Sequence, residues 1–450
     1  MNIPPRRVAI VAALLVSAVI LVAFSLPRGS VNPPKPIVYE SYETDLLATG
    51  RHAVCGNNVS SNCQTIGYDL DVGDLDADGT VEFVAVGESL VGSPGVGQAV
   101  TLWHYAEASA EFRLVAEGWN NTAPEGGYSF EAYAVALGDV DGDGALEIVV
   151  GGRGTRGGDV AYLSVWRWDG AANLTREAHT TWSFGIETYL KDIAISDFDA
   201  DGEPEVLAIS VVDPFQVGIG EVTLWNYSAG MLRREGRFTI EDTQGPVHLY
   251  GVAAVPVAPA PRALVAAGGA LLLLNVTGAA MQVVADETSD TNESFTTLSR
   301  VAVSGDGFRA LAGGTEGDPP LITVREVLLN ATDLSLGNRS QLAFASSPGW
   351  DRITGVALSG DGQIAAVTGL ASNLTVDHTV VLQLMSFGPS GLSPYALNEF
   401  VTTLPGSTEV RTLVNGVVFA EVSSARSGPE VLTVGRFWPQ LEIRLWSSTR

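Results

Sequence analysis

Three short loops in this chain carry acidic residues at a spacing suited to holding a cation. Each has Asp at positions one, three and five, Gly at position six and Glu at position nine; the loops span residues 74–82, 139–147 and 197–205. Oxygen atoms on alternate residues can converge on one hard cation, and the Gly permits the sharp turn. We therefore predict about three calcium sites. The predicted side-chain ligands are Asp74, Asp76, Asp78, Glu82, Asp139, Asp141, Asp143, Glu147, Asp197, Asp199, Asp201 and Glu205, joined by the position-seven carbonyl groups of Thr80, Ala145 and Glu203.

The loops differ from a helical calcium hand at their twelfth position. That position holds Ala85, Val150 and Ala208, where such a hand places a bidentate Glu. Alternating and β-branched residues flank each loop, which predicts that it joins two strands of a hairpin. Asp and Gly also make ordinary polar turns, but three copies that retain the fourth acid favour a metal.

The loops belong to a longer repeat. Asp74, Asp139 and Asp197 are 65 and 58 residues apart, and a strand with a Trp follows each loop, at Trp103, Trp166 and Trp225. Further copies without the acids continue to Trp446, and two of them keep only Ser-Gly-Asp-Gly, at residues 304–307 and 359–362. A repeat of short strands with this period predicts an all-β propeller of seven four-stranded blades, with six or eight blades as alternatives.

The two ends of the chain are predicted to close this propeller. The seventh copy ends after its third strand, so residues 37–42, which precede the first copy, can supply the fourth. The repeated Trp residues have two interpretations, a packing layer between blades or stacking platforms for sugars, and their recurrence favours packing. The two Ser-Gly-Asp-Gly segments offer too few oxygen atoms for a metal and are interpreted as plain hairpin turns.

The repeats resemble the FG-GAP and VCBS-type repeats of integrin α-subunit propellers and of many microbial surface proteins. The resemblance covers most of residues 37–450 and is specific in the acidic loops, whereas the Phe-Gly and Gly-Ala-Pro strings of the family are absent. It implies structural calcium in the hairpin between the first two strands of a blade, with ligands bound elsewhere on the propeller.

The N-terminal residues predict an anchor. A short cytoplasmic segment, residues 1–7, precedes an uncharged apolar stretch at residues 8–26, which is long enough for a transmembrane helix. Arg6 and Arg7 place the remaining chain outside the cytoplasm, with a Pro-rich linker at residues 27–36 and the propeller at residues 37–450. Cleavage of the segment as a signal peptide, which would release a secreted protein, is the alternative.

Two further patterns fit an extracellular location. The only cysteines, Cys55 and Cys63, predict a disulfide. Asn-x-Ser/Thr triplets predict glycosylation. The candidate acceptors are Asn58, Asn120, Asn173, Asn226, Asn275, Asn292, Asn330, Asn338 and Asn373.

Charge and motifs narrow the function classes. The net charge of −26 disfavours nucleic acid as a partner, because phosphate groups need a basic surface. No catalytic motif stands out among the five scattered His residues. We therefore predict a non-enzymatic, membrane-anchored surface module for a protein or glycan partner. An extracytoplasmic polysaccharide hydrolase or lyase and a purely structural envelope component are the alternatives.

Overall fold

β-Strands make up all the regular secondary structure in the part of the chain that the computed structural model describes. That part is residues 44–448 apart from 55–62, 92–95, 121–128, 156–157, 185–186, 213–218, 242–248, 258–260, 289–294, 317–320, 331, 343–349, 373–377, 389–390, 402–411, 421–429 and 438–439. The strands form seven antiparallel sheets of four strands each. These sheets are the blades of a propeller, so the predicted all-β fold and the predicted count of seven blades are confirmed.

Six blades are formed by four strands that follow one another along the chain. Blade 1 consists of β2 (Cys63–Gly73), β3 (Glu82–Val91), β4 (Val96–Ala106) and β5 (Glu111–Asn120), and blade 2 of β6 (Ser129–Gly138), β7 (Glu147–Thr155), β8 (Asp159–Trp168) and β9 (Leu174–Trp182). Blade 3 consists of β10 (Thr188–Ser196), β11 (Glu205–Val212), β12 (Ile219–Ser228) and β13 (Met231–Glu241), and blade 4 of β14 (Leu249–Val255), β15 (Arg262–Ala267), β16 (Ala270–Thr277) and β17 (Ala280–Thr288). Blade 5 consists of β18 (Phe295–Val303), β19 (Arg309–Glu316), β20 (Leu321–Leu329) and β21 (Leu334–Gln341), and blade 6 of β22 (Trp350–Leu358), β23 (Ile364–Ser372), β24 (His378–Gly388) and β25 (Gly391–Val401).

The seventh blade combines both ends of the described chain. Its first three strands are β26 (Thr412–Ala420), β27 (Glu430–Phe437) and β28 (Gln440–Ser448), and its fourth is β1 (Thr44–His52). β1 pairs antiparallel with β28, from Thr44 opposite Ser448 to His52 opposite Leu441. Closure by an N-terminal strand is thus confirmed, but the predicted segment was wrong. The closing strand is β1, whereas residues 37–42 lie outside the described residues.

The hydrophobic core is divided into seven clusters, one between each pair of neighbouring blades. Five of them join consecutive blades from blade 1 to blade 6, a sixth joins blades 6 and 7, and the seventh joins blade 7 back to blade 1. An antiparallel blade buries both faces in this way, so its strands carry nearly continuous apolar runs such as Glu205–Val212, which is buried throughout. The seven interfaces close the ring.

The repeated tryptophans lie in these interfaces. Trp103, Trp166, Trp225 and Trp446 are 2–4% exposed, and each packs against residues of the preceding blade. In three of them the indole N–H donates to a Ser or Thr hydroxyl at 2.9–3.0 Å, which satisfies the polar atom of a buried aromatic ring. The prediction that these residues form a packing layer is confirmed.

The predicted N-terminal segments lie outside the described residues. These segments are residues 1–7, the transmembrane segment at 8–26 and the linker at 27–36. In the portion that the structure describes, no helix has the length and apolar character needed to cross a membrane.

Candidate functional site

The three acidic loops occupy the same place in blades 1, 2 and 3. Each connects the innermost strand of its blade to the second strand, between β2 and β3, β6 and β7, and β10 and β11. The second strand begins at the ninth loop residue, Glu82, Glu147 or Glu205. The predicted hairpin position is therefore confirmed for all three loops.

A common set of hydrogen bonds holds each loop in shape. The first Asp accepts the backbone N–H of the position-six Gly at 2.9–3.1 Å, and the third-position Asp accepts the N–H of residue five at 3.2 Å. The fifth-position Asp accepts the N–H of residue seven, which is Thr80, Ala145 or Glu203, at 2.7–2.9 Å. Residues four and six have positive φ, between 59° and 96°, which explains the Gly at position six. The role of the position-seven carbonyl groups as ligands stays a prediction.

The ninth residue ties each loop to the core. Glu82, Glu147 and Glu205 are at most 1% exposed. In each, Oε2 accepts the backbone N–H of the second loop residue at 2.7–3.1 Å. That second residue has a buried apolar side chain, which anchors the loop in the hydrophobic core. It is Leu75, Val140 or Phe198. One oxygen of each Glu is thereby committed to the backbone, and the other, Oε1, is available for contacts with neighbouring side chains or a ligand.

Burial of these glutamates makes their charge costly. Desolvation raises the pKa of Glu147 and of Glu205 to about 7 and also raises the pKa of Glu82. Nearby aspartates raise the pKa of Glu205 further, because like charges disfavour ionisation. A cation bound to the loop would offset both effects.

The structure brings the predicted ligands together most completely in blade 3. Oxygen atoms of Asp197, Asp199, Asp201 and Glu205 all lie within 4.8 Å of one another. Calcium binds oxygen at about 2.3–2.6 Å, so oxygen atoms around one ion are up to about 5 Å apart. An all-oxygen donor set with this separation fits calcium. Glu235 adds another acid nearby, and burial together with the charges of the loop raises its pKa.

Blades 1 and 2 bring together three ligands each within the same 4.8 Å. In blade 1 these are Asp74, Asp76 and Asp78, but not Glu82; in blade 2 they are Asp139, Asp141 and Glu147, but not Asp143. Asp139 Oδ1 is buried with no hydrogen-bond partner among the described residues. A buried carboxylate oxygen left unpaired is costly.

A residue on the third strand distinguishes the three loops, and the sequence interpretation missed it. His104, Arg167 and Asn226 follow the repeated Trp residues and lie beside the buried Glu of their loops. His104 Nε2 is 2.8 Å from Glu82 Oε1. Arg167 contacts Asp141, Asp143 and Glu147, whereas Asn226 Nδ2 donates instead to Glu203 at 3.4 Å. The signal for this position is its fixed place one residue after each repeated Trp.

The two Ser-Gly-Asp-Gly segments form hairpin turns, as predicted. Ser304 Oγ donates to Asp306 at 2.6 Å and Ser359 Oγ donates to Asp361 at the same distance. The same Ser oxygens accept the backbone N–H of Arg309 and Ile364. The Ser and Asp side chains are thus satisfied within each turn, while the Gly305 N–H donates to the Gly360 carbonyl oxygen and joins the two turns.

The remaining predicted residues are scattered over the surface or lie outside the described part. Asn173, Asn330 and Asn338 are exposed, Asn226 and Asn275 are half-buried, and Asn120 ends β5. Asn58, Asn292 and Asn373 lie outside the described residues, and so does Cys55, while Cys63 is buried at the start of β2. Glycosylation and the Cys55–Cys63 disulfide stay predictions.

Comparison with known proteins finds a family model that covers the acidic loops of blades 2 and 3. Residues 139–208 match the model of the FG-GAP-like repeat. The match begins at the first Asp of the blade 2 loop and includes the whole blade 3 loop. The resemblance to FG-GAP repeats that the acidic loops indicated is therefore confirmed.

A solved structure with low sequence identity to this chain has a similar fold. The crystal structure of a protein from Lactobacillus plantarum, determined in a structural genomics programme, aligns with a TM-score of 0.50 and 12% sequence identity, over 84% of this chain and 94% of that one. At this identity the likeness concerns the fold alone. No curated protein matches the sequence.

Proposed function

We propose that the chain is a membrane-anchored, extracellular β-propeller that is stabilised by calcium and binds a protein or glycan partner. The observation that carries this proposal is the set of acidic loops on FG-GAP-like repeats, most complete in blade 3, where four carboxylates converge. Such loops supply the oxygen ligands that calcium prefers. Calcium would supply the positive charge that offsets the repulsion among these carboxylates.

The proposed role of calcium is structural. The loops connect the first two strands of their blades, and the ninth-position Glu is part of the core, so a bound ion would fasten the inner strand to its neighbour. A ligand that binds only the folded state adds about 2.7 kcal/mol per site when its free concentration is a hundredfold above Kd. Extracellular calcium would then help to keep the propeller folded.

The proposed location and partner rest on the sequence. Residues 8–26 are the anchor, and the Pro-rich linker at 27–36 would hold the propeller away from the membrane. The net charge of −26 favours a protein or glycan over nucleic acid as the partner. The acidic loops serve the fold, so the partner would bind elsewhere on the propeller.

The calcium part of the proposal is tested by the ion content and melting temperature of the full chain, with and without chelator. The triple variant Asp76→Ala, Asp141→Ala, Asp199→Ala is measured in parallel. We expect bound calcium and a chelator-sensitive melting temperature in the wild type, and neither in the variant. A wild-type melting curve that chelator leaves unchanged, with no bound ion, would contradict the proposal.

The binding part is tested on arrays of glycans and of extracellular proteins, with calcium and with chelator. We expect retention of a defined subset that depends on the folded propeller and is lost when the protein is heat-denatured. Degradation of an arrayed glycan would favour the polysaccharide hydrolase or lyase instead. Absence of any retained probe would favour a structural envelope component.

A further inference from the structure

Arg167 lies against the carboxylates of the blade 2 loop. It is on β8, and its guanidinium Nη2 lies 2.9 Å from Asp141 Oδ2 and 2.5 Å from Glu147 Oε1, while Nη1 lies 3.0 Å from Asp143 Oδ2. Three of the four predicted ligand carboxylates therefore already contact a positive charge. A guanidinium can satisfy several carboxylates at once because its donors point outward in one plane.

Neighbouring residues hold this guanidinium in place. Nε lies 3.5 Å from Glu177 Oε1 on β9. The other oxygen of Glu177 accepts the hydroxyl of Tyr227 from blade 3 at 2.7 Å. Arg167 is thus bonded to the loop on one side and faces, at ion-pair distance on the other, a carboxylate that is itself fixed by the next blade.

The other two loops carry no such cation. At the equivalent position blade 3 has Asn226, a neutral amide that points to Glu203. At the position of Glu177, opposite the bulge after Leu224, blade 3 has Glu235, which adds negative charge to the loop. Blade 1 has His104, which contacts Glu82 but none of the three loop aspartates by ion pairing.

We propose that Arg167 is the internal cation of blade 2, so that the loop at residues 139–147 is held together without a metal and the chain binds two calcium ions rather than three. This inference rests on the proposed calcium-stabilised function. Its physical basis is competition for the same oxygen atoms, since nitrogen atoms at hydrogen-bond distance occupy the carboxylates that calcium would take at about 2.3–2.6 Å. A fixed positive charge at this range also repels a divalent cation.

The test is the calcium content of the full chain after chelation, dialysis against calcium and removal of free ion, measured by atomic emission. We expect two ions for the wild type and three for Arg167→Asn, which places the blade 3 residue in blade 2. The reciprocal change Asn226→Arg is expected to lower the content to one. Arg153→Asn is the matched control, because Arg153 pairs with Glu131 and Asp159 in the same blade, six residues beyond the loop on β7; it is expected to keep two.

Hydrogen exchange at the three loops provides a second readout that does not need a stable variant. In the wild type, chelator is expected to increase exchange of the loop amides at residues 74–82 and 197–205 and to leave residues 139–147 unchanged. Three ions in the wild type, a chelator response in all three loops, or a folded Arg167→Asn protein that still holds two ions would overturn the inference while leaving the calcium propeller intact. No ion in any form would overturn both.

Discussion

The buried glutamate of each acidic loop accepts a hydrogen bond from the backbone and also carries a negative charge beside the loop aspartates. In Glu205, Oε2 accepts the N–H of Phe198 at 2.8 Å, and the carboxylate also lies among Asp197, Asp199 and Asp201. The first interaction needs only a carbonyl-type oxygen, whereas the second, in the proposed calcium site, needs a negative ligand. The two contributions can therefore be separated by substitution.

We expect Glu205→Gln to keep the fold and weaken calcium binding. The amide oxygen can still accept the Phe198 N–H, but the charged ligand is lost, so the stabilisation by calcium should fall by up to about 2.7 kcal/mol at a hundredfold excess over Kd. Glu205→Ala should in addition cost about 1 kcal/mol in chelator, because the buried Phe198 N–H loses its side-chain acceptor and keeps only the Ser196 carbonyl oxygen at 2.9 Å. Urea unfolding with and without calcium measures both effects.

The matched control is Glu430→Gln. Glu430 is a buried glutamate that begins the second strand of blade 7, as Glu205 does in blade 3, but no acidic loop of the same pattern precedes it. Its substitution should leave the calcium increment unchanged. An equal loss of the increment in both variants would mean that the effect comes from the fold rather than from a ligand.

Acidic residues on the inner strands connect neighbouring blades. Asp69 accepts the N–H of Val135 at 3.0 Å, and Asp71 accepts that of Leu137 at 2.8 Å, so β2 is bonded to β6. Desolvation, together with the charge of Asp192, raises the pKa of Asp69 to about 7, although Arg300 opposes the shift. Desolvation raises the pKa of Asp71 to about 6.

These raised pKa values predict a pH dependence of stability. Between about pH 4 and pH 7 the native Asp69 binds more protons than the unfolded one, so its contribution to stability falls as the pH rises, by up to about 1.4 kcal/mol per pH unit. Asp69→Asn keeps an acceptor for Val135 and removes the charge. The variant should therefore gain stability relative to wild type as the pH rises through this window.

Urea unfolding of both proteins from pH 4 to pH 8 measures the difference, with Asp71→Asn as a comparison whose gain should level off near pH 6. Unfolding curves of wild type and Asp69→Asn that shift in parallel at every pH would refute the assignment.

At the residue scale the sequence predicted the ligand spacing but not the neighbours across the sheet. The positions of the aspartates within a loop are local, and a turn of nine residues fixes them. His104, Arg167 and Asn226 come from a strand about twenty residues later in each blade, and their place beside the glutamates depends on strand register. Register is set by packing of the whole blade rather than by local pattern.

At the scale of the element, blades 1, 2, 3 and 7 are each held to the preceding blade by a Trp on the third strand. Trp446 on β28 is 2% exposed and packs against Leu384 and Ala366 of blade 6. Its indole N–H donates to Thr433 at 3.0 Å. The residue therefore combines a large apolar contact with a satisfied polar atom.

We expect Trp446→Ala to destabilise the propeller by about 3–5 kcal/mol, since it leaves a large cavity between blades 6 and 7. The substitution removes no residue of the acidic loops. Phe308→Ala is the control, because Phe308 is 62% exposed and its removal should change stability by about 0.5 kcal/mol or less. Thermal and urea unfolding give both values. Similar losses for the two variants would show that this interface is not a main source of stability.

The closing strand shows where pattern fails at this scale. Residues 37–42 are rich in β-branched and aromatic side chains, which predicts a strand, whereas β1 contains Gly50 and few apolar residues. β1 is the outermost strand of its blade, and only part of it faces the core, so its pattern is weak. Gly50 is required by packing, since a Cβ there would lie 2.8 Å from Phe112 Cβ in blade 1.

At the scale of the whole molecule, seven interfaces close a ring whose blades are chemically unequal. The count of seven was predictable because each blade repeats the same strand order and apolar runs. Only blades 1, 2 and 3 carry the acidic loops, and in the turns of blades 5 and 6 the Asp side chains are paired with Ser304 and Ser359. The dependence on calcium should therefore be confined to one arc of the ring.

We expect calcium removal to loosen blades 1 and 3 while blades 4 to 7 stay protected. Hydrogen exchange reports where a protein opens locally because few interactions oppose the opening. Chelation would leave the four carboxylates of residues 197–205 in mutual repulsion, next to the half-buried Ile195 and the buried Phe198. Exchange mass spectrometry in calcium and in chelator should show increased exchange in β2, β3, β10 and β11, and little change in β15, β19 and β23. The blade 2 loop at residues 139–147, which Arg167 contacts, should not respond to chelator. A uniform increase around the ring would mean that the propeller opens as one cooperative unit, because the interfaces between blades would then transmit the loss of the ion to every blade.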